Sequence, residues 1–140
     1  MPPMLRNVLA IAAGIVLGAM VNGGLITLSP SIIPPPEGVD VTDAESLRQS
    51  IHLFQPKHFI FPFLAHALGT LVGAYVAYRI AATRKAQWAW IIGCLFLIGG
   101  IWAATMIPAP TWFIAADLLL AYLPMAWLGI RMASAGRVEA

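Results

Sequence analysis

Charged residues are scarce in this chain. Its 140 residues include eight Lys and Arg and six Asp and Glu, so only 10% are charged. A soluble domain of ordinary composition is about 25% charged, which makes the composition incompatible with a typical water-soluble fold. Cysteine occurs once, as Cys94 in the middle of an apolar run, which excludes an internal disulfide and a cysteine metal cluster. We expect Cys94 to behave as a small buried hydrophobic residue.

Motifs of enzyme chemistry are also missing. The chain has no Gly-x-Ser-x-Gly or His-Glu-x-x-His motif, no phosphate-binding loop and no pair of carboxylates within its apolar runs. The sequence therefore predicts neither an enzyme nor a bound cofactor. Its basic residues flank the apolar runs instead of forming one patch, which argues against a nucleic-acid partner and for the lipid bilayer.

Four long apolar runs make up most of the chain, in which 60% of residues are hydrophobic and mean hydropathy is +0.83. The second run is roughly 36 Å long as a helix, enough to cross a bilayer core of about 30 Å. The first run exceeds the apolar core of a cleaved signal peptide, which spans about 7–15 residues. Pro124 lies inside the fourth run and lacks an N–H, so we expect a kink there. We predict an all-α integral-membrane bundle of four transmembrane helices, a single membrane domain over 1–140 with spans at about 7–28, 59–82, 88–107 and 111–132.

The polar segment 29–57 connects the first two spans. Its four early prolines, Pro30 to Pro36, predict an extended path without helix. Thr42 and Glu45 then form a capping-box pattern, with Thr42 as the N-cap. The pattern predicts a short amphipathic helix at about 43–53, which either lies on the membrane surface or covers the mouth of the bundle.

The distribution of basic residues predicts the topology. Four spans place both termini on one side of the membrane, and the chain carries six Lys and Arg on that side against two on the other. The positive-inside rule then places both termini in the cytoplasm and the polar loop outside. The residues counted are Arg6, Arg79, Arg84, Lys85, Arg131 and Arg137 on the terminus side, and Arg48 and Lys57 on the other.

Small residues recur at every fourth position of the first two spans. Such stripes allow the backbones of two membrane helices to approach closely. We expect the two stripes to pack against each other in antiparallel fashion, although the same faces would also suit a second copy of the chain or another membrane protein. The stripes consist of Ala10, Gly14, Gly18 and Asn22 in the first span, and Ala65, Gly69, Gly73, Ala77 and Ala81 in the second.

Three polar residues, Asn22, His66 and Asp117, interrupt different spans at the same depth. Counted from the outer ends of their runs, each lies roughly 9–11 Å below the membrane boundary. A buried carboxylate needs a partner, and His66 is the only ionisable residue at the depth of Asp117. We therefore predict that these two side chains meet, with Asn22 adjoining. Two roles remain open for this layer. It either only fixes the packing of the helices through hydrogen bonds, or it binds a ligand or transfers protons.

A metal site has only weak support. Glu45, His52 and His58 belong to the outer loop and its junction with the second span, and would have to meet at the mouth of the bundle. The histidine spacings do not match a helical two-histidine motif.

Three segments of the chain show a resemblance. They are SPSIIPPPEGVDVTDAESL, HLFQPKHFIFPFLAHALGTLVGA and IPAPTWFIAADLLLAYLPMAWLG. Together they cover most of Leu28 to Gly129 and resemble an uncharacterised family of small four-span bacterial membrane proteins. The resemblance implies a location in the bacterial inner membrane, and it implies no activity, cofactor or binding residue.

The sequence thus leaves two functions open. One is a small binding or transport protein that uses the layer of Asn22, His66 and Asp117 from the outer side. The other is a structural or accessory subunit that associates with its own copy or with another membrane protein through its small-residue faces.

Overall fold

A computed structural model describes residues 1–136, and 81% of the structure is helix. No β-strand occurs within this range. Four helical segments are long and apolar enough to cross a membrane, as predicted. Arg137, one of the basic residues used to predict the topology, lies outside the described residues. The helices are α1 (Pro3–Ile32), α2 (Ala44–Ser50), α3 (Ile60–Ile80), α4 (Lys85–Met106), α5 (Thr111–Leu120) and α6 (Leu123–Ala135), with 3₁₀ turns at Ile51–Leu53 and Pro56–Phe59.

Helix α3 lies at the centre of the bundle and packs against α1, α4 and α6. Its contact with α1 is the antiparallel packing of small residues that the sequence predicts. A Cβ atom on Gly14 would lie 2.7 Å from the carbonyl oxygen of Gly73, and one on Gly18 would lie 2.7 Å from that of Gly69. Such distances leave no room for a side chain, so glycine is required for the two backbones to approach this closely.

Helices α4 and α6 close the other side of the bundle through small residues. Ala74, Ala89 and Ala126 form one buried cluster between α3, α4 and α6. A Cβ atom on Gly129 would lie 2.6 Å from the carbonyl oxygen of Leu71, so α6 also touches the backbone of α3. Cys94 of α4 is exposed, which makes the expectation of a buried cysteine wrong, because its helix face points away from these contacts.

The fourth apolar run is two helices, because the chain breaks at Ala121 and Tyr122. Tyr122 has φ −115° and ψ −81°, and α6 begins at the next residue with Pro124 in its first turn. Proline is tolerated in a first turn, where its missing N–H has no helical partner to lose. The predicted distortion is therefore present, but it is a break just before the proline.

Two predictions for the loop are wrong in detail. Pro30 does not end the first helix, since α1 continues to Ile32. The N-cap of α2 is Asp43, whose Oδ2 accepts a hydrogen bond from the Ser46 N–H at 2.7 Å. Thr42 lies outside the helix, where its N–H and hydroxyl both donate to Asp40 Oδ1, at 2.8 and 2.6 Å. These bonds hold the pKa of the exposed Asp40 carboxyl below its usual value.

The segment from α2 to α3 folds over one end of the bundle, which we call the loop end. Ile51 and Phe59 are buried there with Phe113 of α5. His58 fastens the segment, because its Nδ1 accepts from the Gln55 N–H at 2.8 Å and its Nε2 lies 3.1 Å from the carbonyl oxygen of Pro34. The short helix thus covers the mouth of the bundle, one of the two placements that its amphipathic pattern predicts.

The opposite end of the bundle depends on Asn7, a residue that sequence reasoning missed. Asn7 is buried, and its Oδ1 accepts hydrogen bonds from the N–H groups of Ala82 and Thr83 at 2.9 and 3.3 Å. Its Nδ2 donates to Thr83 Oγ1 at 2.9 Å. Asn7 therefore ties the start of α1 to the turn that follows α3.

Candidate functional site

His66 and Asp117 meet between α3 and α5, as their depth in the sequence predicts. His66 Nδ1 lies 2.8 Å from Asp117 Oδ1. Asp117 is 5% exposed, and the side chain of His66 is 21% exposed. Burial of a carboxylate is tolerated here because a second ionisable group is within direct hydrogen-bonding distance.

Tyr122 completes the cluster, and sequence reasoning did not find it. Its hydroxyl donates to Asp117 Oδ2 at 3.0 Å, and its ring stacks on that of His66 with centroids 5.8 Å apart. The break between α5 and α6 allows this contact, because it turns Tyr122 back towards Asp117. Gly100 of α4 leaves the space that the Tyr122 hydroxyl occupies. The sequence feature that could have pointed to Tyr122 is its position in the middle of a span, two residues before a proline.

Neighbouring groups hold His66 and Asp117 in place. Both oxygens of Asp117 are used, one by His66 and the other by Tyr122. The fully buried Thr70 donates its hydroxyl to the carbonyl oxygen of His66 at 2.8 Å, one turn further along α3. The cluster is therefore fixed from α3, from α5 and from the junction of α5 with α6.

Asn22 lies near the cluster without joining it. It is half-buried and lines a cavity together with His66 and Tyr122. It makes no hydrogen bond to His66, Asp117 or Tyr122 in the described structure. The structure therefore places two of the three predicted residues in contact, and the third across a cavity from them.

His66 stands where two cavities meet. The first, of about 240 Å³, lies under the loop end, between α1, α3, α4 and α5. Its walls are almost entirely apolar, and His66 and Asp117 lie among its few polar lining residues, with His58 by the loop. The second cavity, of about 400 Å³, lies between α1 and α4. Both are lined by His66, Gly100 and Ala103.

One hydrogen-bonding atom of the cluster is left over. His66 Nδ1 is bound to Asp117, whereas no partner for His66 Nε2 occurs among the residues that the structure describes. Apolar surroundings favour a pair without net charge, because an isolated buried charge is costly. The neutral pair has two forms, imidazolium with carboxylate or imidazole with carboxylic acid, and Nε2 carries a hydrogen in both. Such a pair presents one hydrogen-bond donor, the Nε2–H group, at the cavity wall.

The structure does not bring together the three residues of the weak metal hypothesis at the mouth of the bundle. Within residues 1–136, no three His, Cys, Asp or Glu side chains lie close enough to hold a metal ion. His58 has both ring nitrogens engaged, and Glu45 accepts a hydrogen bond from Gln49. His52 is exposed on the 3₁₀ turn, so the loop conformation keeps the three side chains from forming a site.

Comparison with known proteins adds no family or activity. The sequence matches no protein-family model, and neither a curated protein nor a solved structure matches the chain. The resemblance to four-span bacterial membrane proteins remains an expectation.

Proposed function

We propose that the chain is a multi-pass protein of the bacterial inner membrane that binds or transports a small molecule at His66, on the outer side of the bilayer. One observation carries the proposal: His66 Nε2 has no partner among residues 1–136 and adjoins two cavities, while Nδ1 is held by the buried Asp117. A polar group that only locked helices together would be expected to satisfy its hydrogen bonds within the protein.

The packing of the small-residue faces disfavours the alternative of an accessory subunit. Gly14 and Gly18 of α1 are used against Gly69 and Gly73 of α3 inside one copy of the chain. These residues are buried, so this surface is not free to bind a second membrane protein. The sequence pattern that suggested a partner is thus accounted for by internal packing.

The proposed topology predicts which engineered cysteines react from outside. Glu37 and Ala86 are both exposed, at opposite ends of the bundle. With Cys94 first replaced by alanine, Glu37→Cys in intact cells is expected to react with a membrane-impermeant thiol reagent, and Ala86→Cys only after the cells are permeabilised. Labelling of Ala86→Cys in intact cells, or of both cysteines, would contradict cytoplasmic termini.

Filling the cavity should prevent binding. Ala104 lines the 240 Å³ cavity, and Ala115 is an exposed alanine of α5 that does not. Native mass spectrometry of protein released from bilayer nanodiscs is expected to detect a bound small molecule in the wild type and in Ala115→Phe, and none in Ala104→Phe. Circular dichroism checks that both variants keep their helix content. Equal retention by the two variants, or no bound molecule in the wild type, would refute the proposed function.

A further inference from the structure

We infer that the ligand is an uncharged, lipid-soluble ring compound with a carbonyl oxygen, which reaches the cavity from the bilayer between α1 and α4 and accepts a hydrogen bond from His66 Nε2. This inference rests on the proposed function and narrows it to a class of ligand and a route. Three observations support it: the size and walls of the cavity, the donor at its polar side, and the opening beside it.

The walls of the cavity select an apolar ring. Phe54, Phe59 and Phe113 line it towards the loop end, and aromatic walls suit a ligand with an aromatic ring. An apolar cavity of about 150 Å³ accommodates one benzene. The volume of about 240 Å³ therefore has room for a compound of two rings. Within residues 1–136, no lysine or arginine side chain lines this cavity. An anionic ligand would therefore find no positive charge of that kind to pair with.

The polar side of the cavity selects a hydrogen-bond acceptor. In the neutral His66–Asp117 pair, Nε2 bears a hydrogen in both proton arrangements. A carbonyl oxygen accepts this hydrogen, whereas a hydroxyl group would have to accept through its weaker oxygen while its own hydrogen remained unpaired. Each oxygen of Asp117 already contacts His66 or Tyr122, and the residue is buried, so a ligand hydroxyl has little access to the carboxylate as an acceptor.

The route is lateral because the loop end is covered and the space between α1 and α4 is open. Leu47, Ile51 and Phe54 close the loop end over the cavity. Beside it, Ala19, Gly23, Leu95 and Gly99 are exposed residues that line the 400 Å³ cavity. A Cβ atom on Gly23 or Gly99 would meet no atom within 4 Å, so no neighbouring helix closes the cavity at these two positions. A lipid-soluble compound is concentrated in the bilayer that faces this gap.

A series of two-ring probes tests the class of ligand. We expect 1-tetralone, which has one carbonyl, to bind the protein in nanodiscs roughly tenfold more tightly than naphthalene, since one net hydrogen bond is gained. It should also bind more tightly than 1-naphthol, and 1-naphthoate should not bind. Isothermal titration calorimetry against empty nanodiscs measures the affinities.

The ¹⁵N chemical shift of His66 Nε2 should change with 1-tetralone and stay unchanged with naphthalene.

Two variants identify the donor. His66→Phe, combined with Asp117→Leu and Tyr122→Phe so that no polar group of the cluster is left unpaired, removes Nε2 but keeps a ring; 1-tetralone should then bind no better than naphthalene. Asp117→Asn alone should retain the preference, because the amide N–H donates to His66 Nδ1 and keeps the hydrogen on Nε2. If the triple variant retains the preference, the donor has been misassigned and the inference is wrong.

Adjacent glycines of α1 provide a matched test of the route. Gly23 lines the gap and Gly24 does not, and a Cβ atom on either meets nothing within 4 Å. Gly23→Leu should slow association of 1-tetralone in stopped-flow tryptophan fluorescence at least tenfold, and Gly24→Leu should leave it unchanged. Equal rates in the two variants would overturn the lateral route.

The outcomes separate this inference from the proposed function. If Ala104→Phe removes the molecule bound to the native protein but 1-tetralone has no advantage over naphthalene, 1-naphthol and 1-naphthoate, only the present inference is wrong. If Ala104→Phe has no effect on bound molecules, the proposed function is wrong, and the inference falls with it.

Discussion

Replacing Asp117 alone by leucine is expected to destabilise the bundle strongly, and replacing its two partners as well should recover much of the loss. The single change leaves the Tyr122 hydroxyl and His66 Nδ1 without their partner in apolar surroundings. Each buried polar group left unsatisfied costs about 1–3 kcal/mol. The triple variant His66→Leu, Asp117→Leu and Tyr122→Phe removes all three polar groups together, which is often close to neutral for stability. Melting temperatures in one detergent measure both effects.

Asp117→Asn is the control for shape. Its amide oxygen can accept from Tyr122 and its N–H can donate to His66 Nδ1, so this variant should melt near the wild type. A triple variant that is stable but binds 1-tetralone no better than naphthalene would show that the cluster serves a ligand and not only the fold. If Asp117→Leu melts like the wild type, the buried hydrogen bonds contribute nothing and the described geometry is not that of the folded protein.

The contact between His66 and Asp117 could be predicted because helix geometry fixes depth. Each residue advances about 1.5 Å, so residues counted from the same boundary lie in the same layer whatever the side-chain packing. A buried carboxylate then needs a partner, and only His66 was available at that depth. Four-residue spacing predicted the antiparallel contact of α1 with α3 for a similar reason, since small residues on one face permit close approach in any membrane helix pair.

Tyr122 could not be predicted by counting along a continuous helix. It lies five residues after Asp117, and on an unbroken helix the two side chains would point well apart. The break at Ala121 and Tyr122 changes that direction, and both residues are buried against Ala67 of α3. The N-cap at Asp43 was missed because Asp40 competes for Thr42, a local interaction that the capping-box pattern ignores.

The cavities were beyond sequence reasoning for a different reason. A void is a property of how side chains from several helices fail to fill the space between them. Glycine can mark either a close contact or an opening: a Cβ atom on Gly18 would collide with Phe96, whereas one on Gly99 would meet nothing. Four-residue spacing alone does not distinguish the two, because both kinds of glycine lie on an apolar helix.

Adding a single methyl group at Gly73 is expected to destabilise the protein, and adding a leucine side chain should do so more severely. A Cβ atom there would lie 2.8 Å from the carbonyl oxygen of Gly14 and 3.0 Å from Ile92 Cγ2. The first obstacle is backbone, so no side-chain rotation relieves it and α1 has to move. Overpacking of this kind costs typically about 1–3 kcal/mol. Gly24→Leu, which adds a larger group to open space on α1, should melt like the wild type.

The same contact shapes the opening to the site, so Gly73→Ala should impair binding as well as stability. Gly14 and Gly18 hold α1 against α3 and close to Ile92 and Phe96 of α4, and the helices separate only further along, where Gly23 faces open space. Forcing α1 away from α3 at Gly73 moves α1 relative to α4 and changes that gap. We therefore expect weaker binding of 1-tetralone to Gly73→Ala, measured below its melting temperature. A variant that melts lower yet binds normally would show that the α1–α3 contact supports the fold without defining the route.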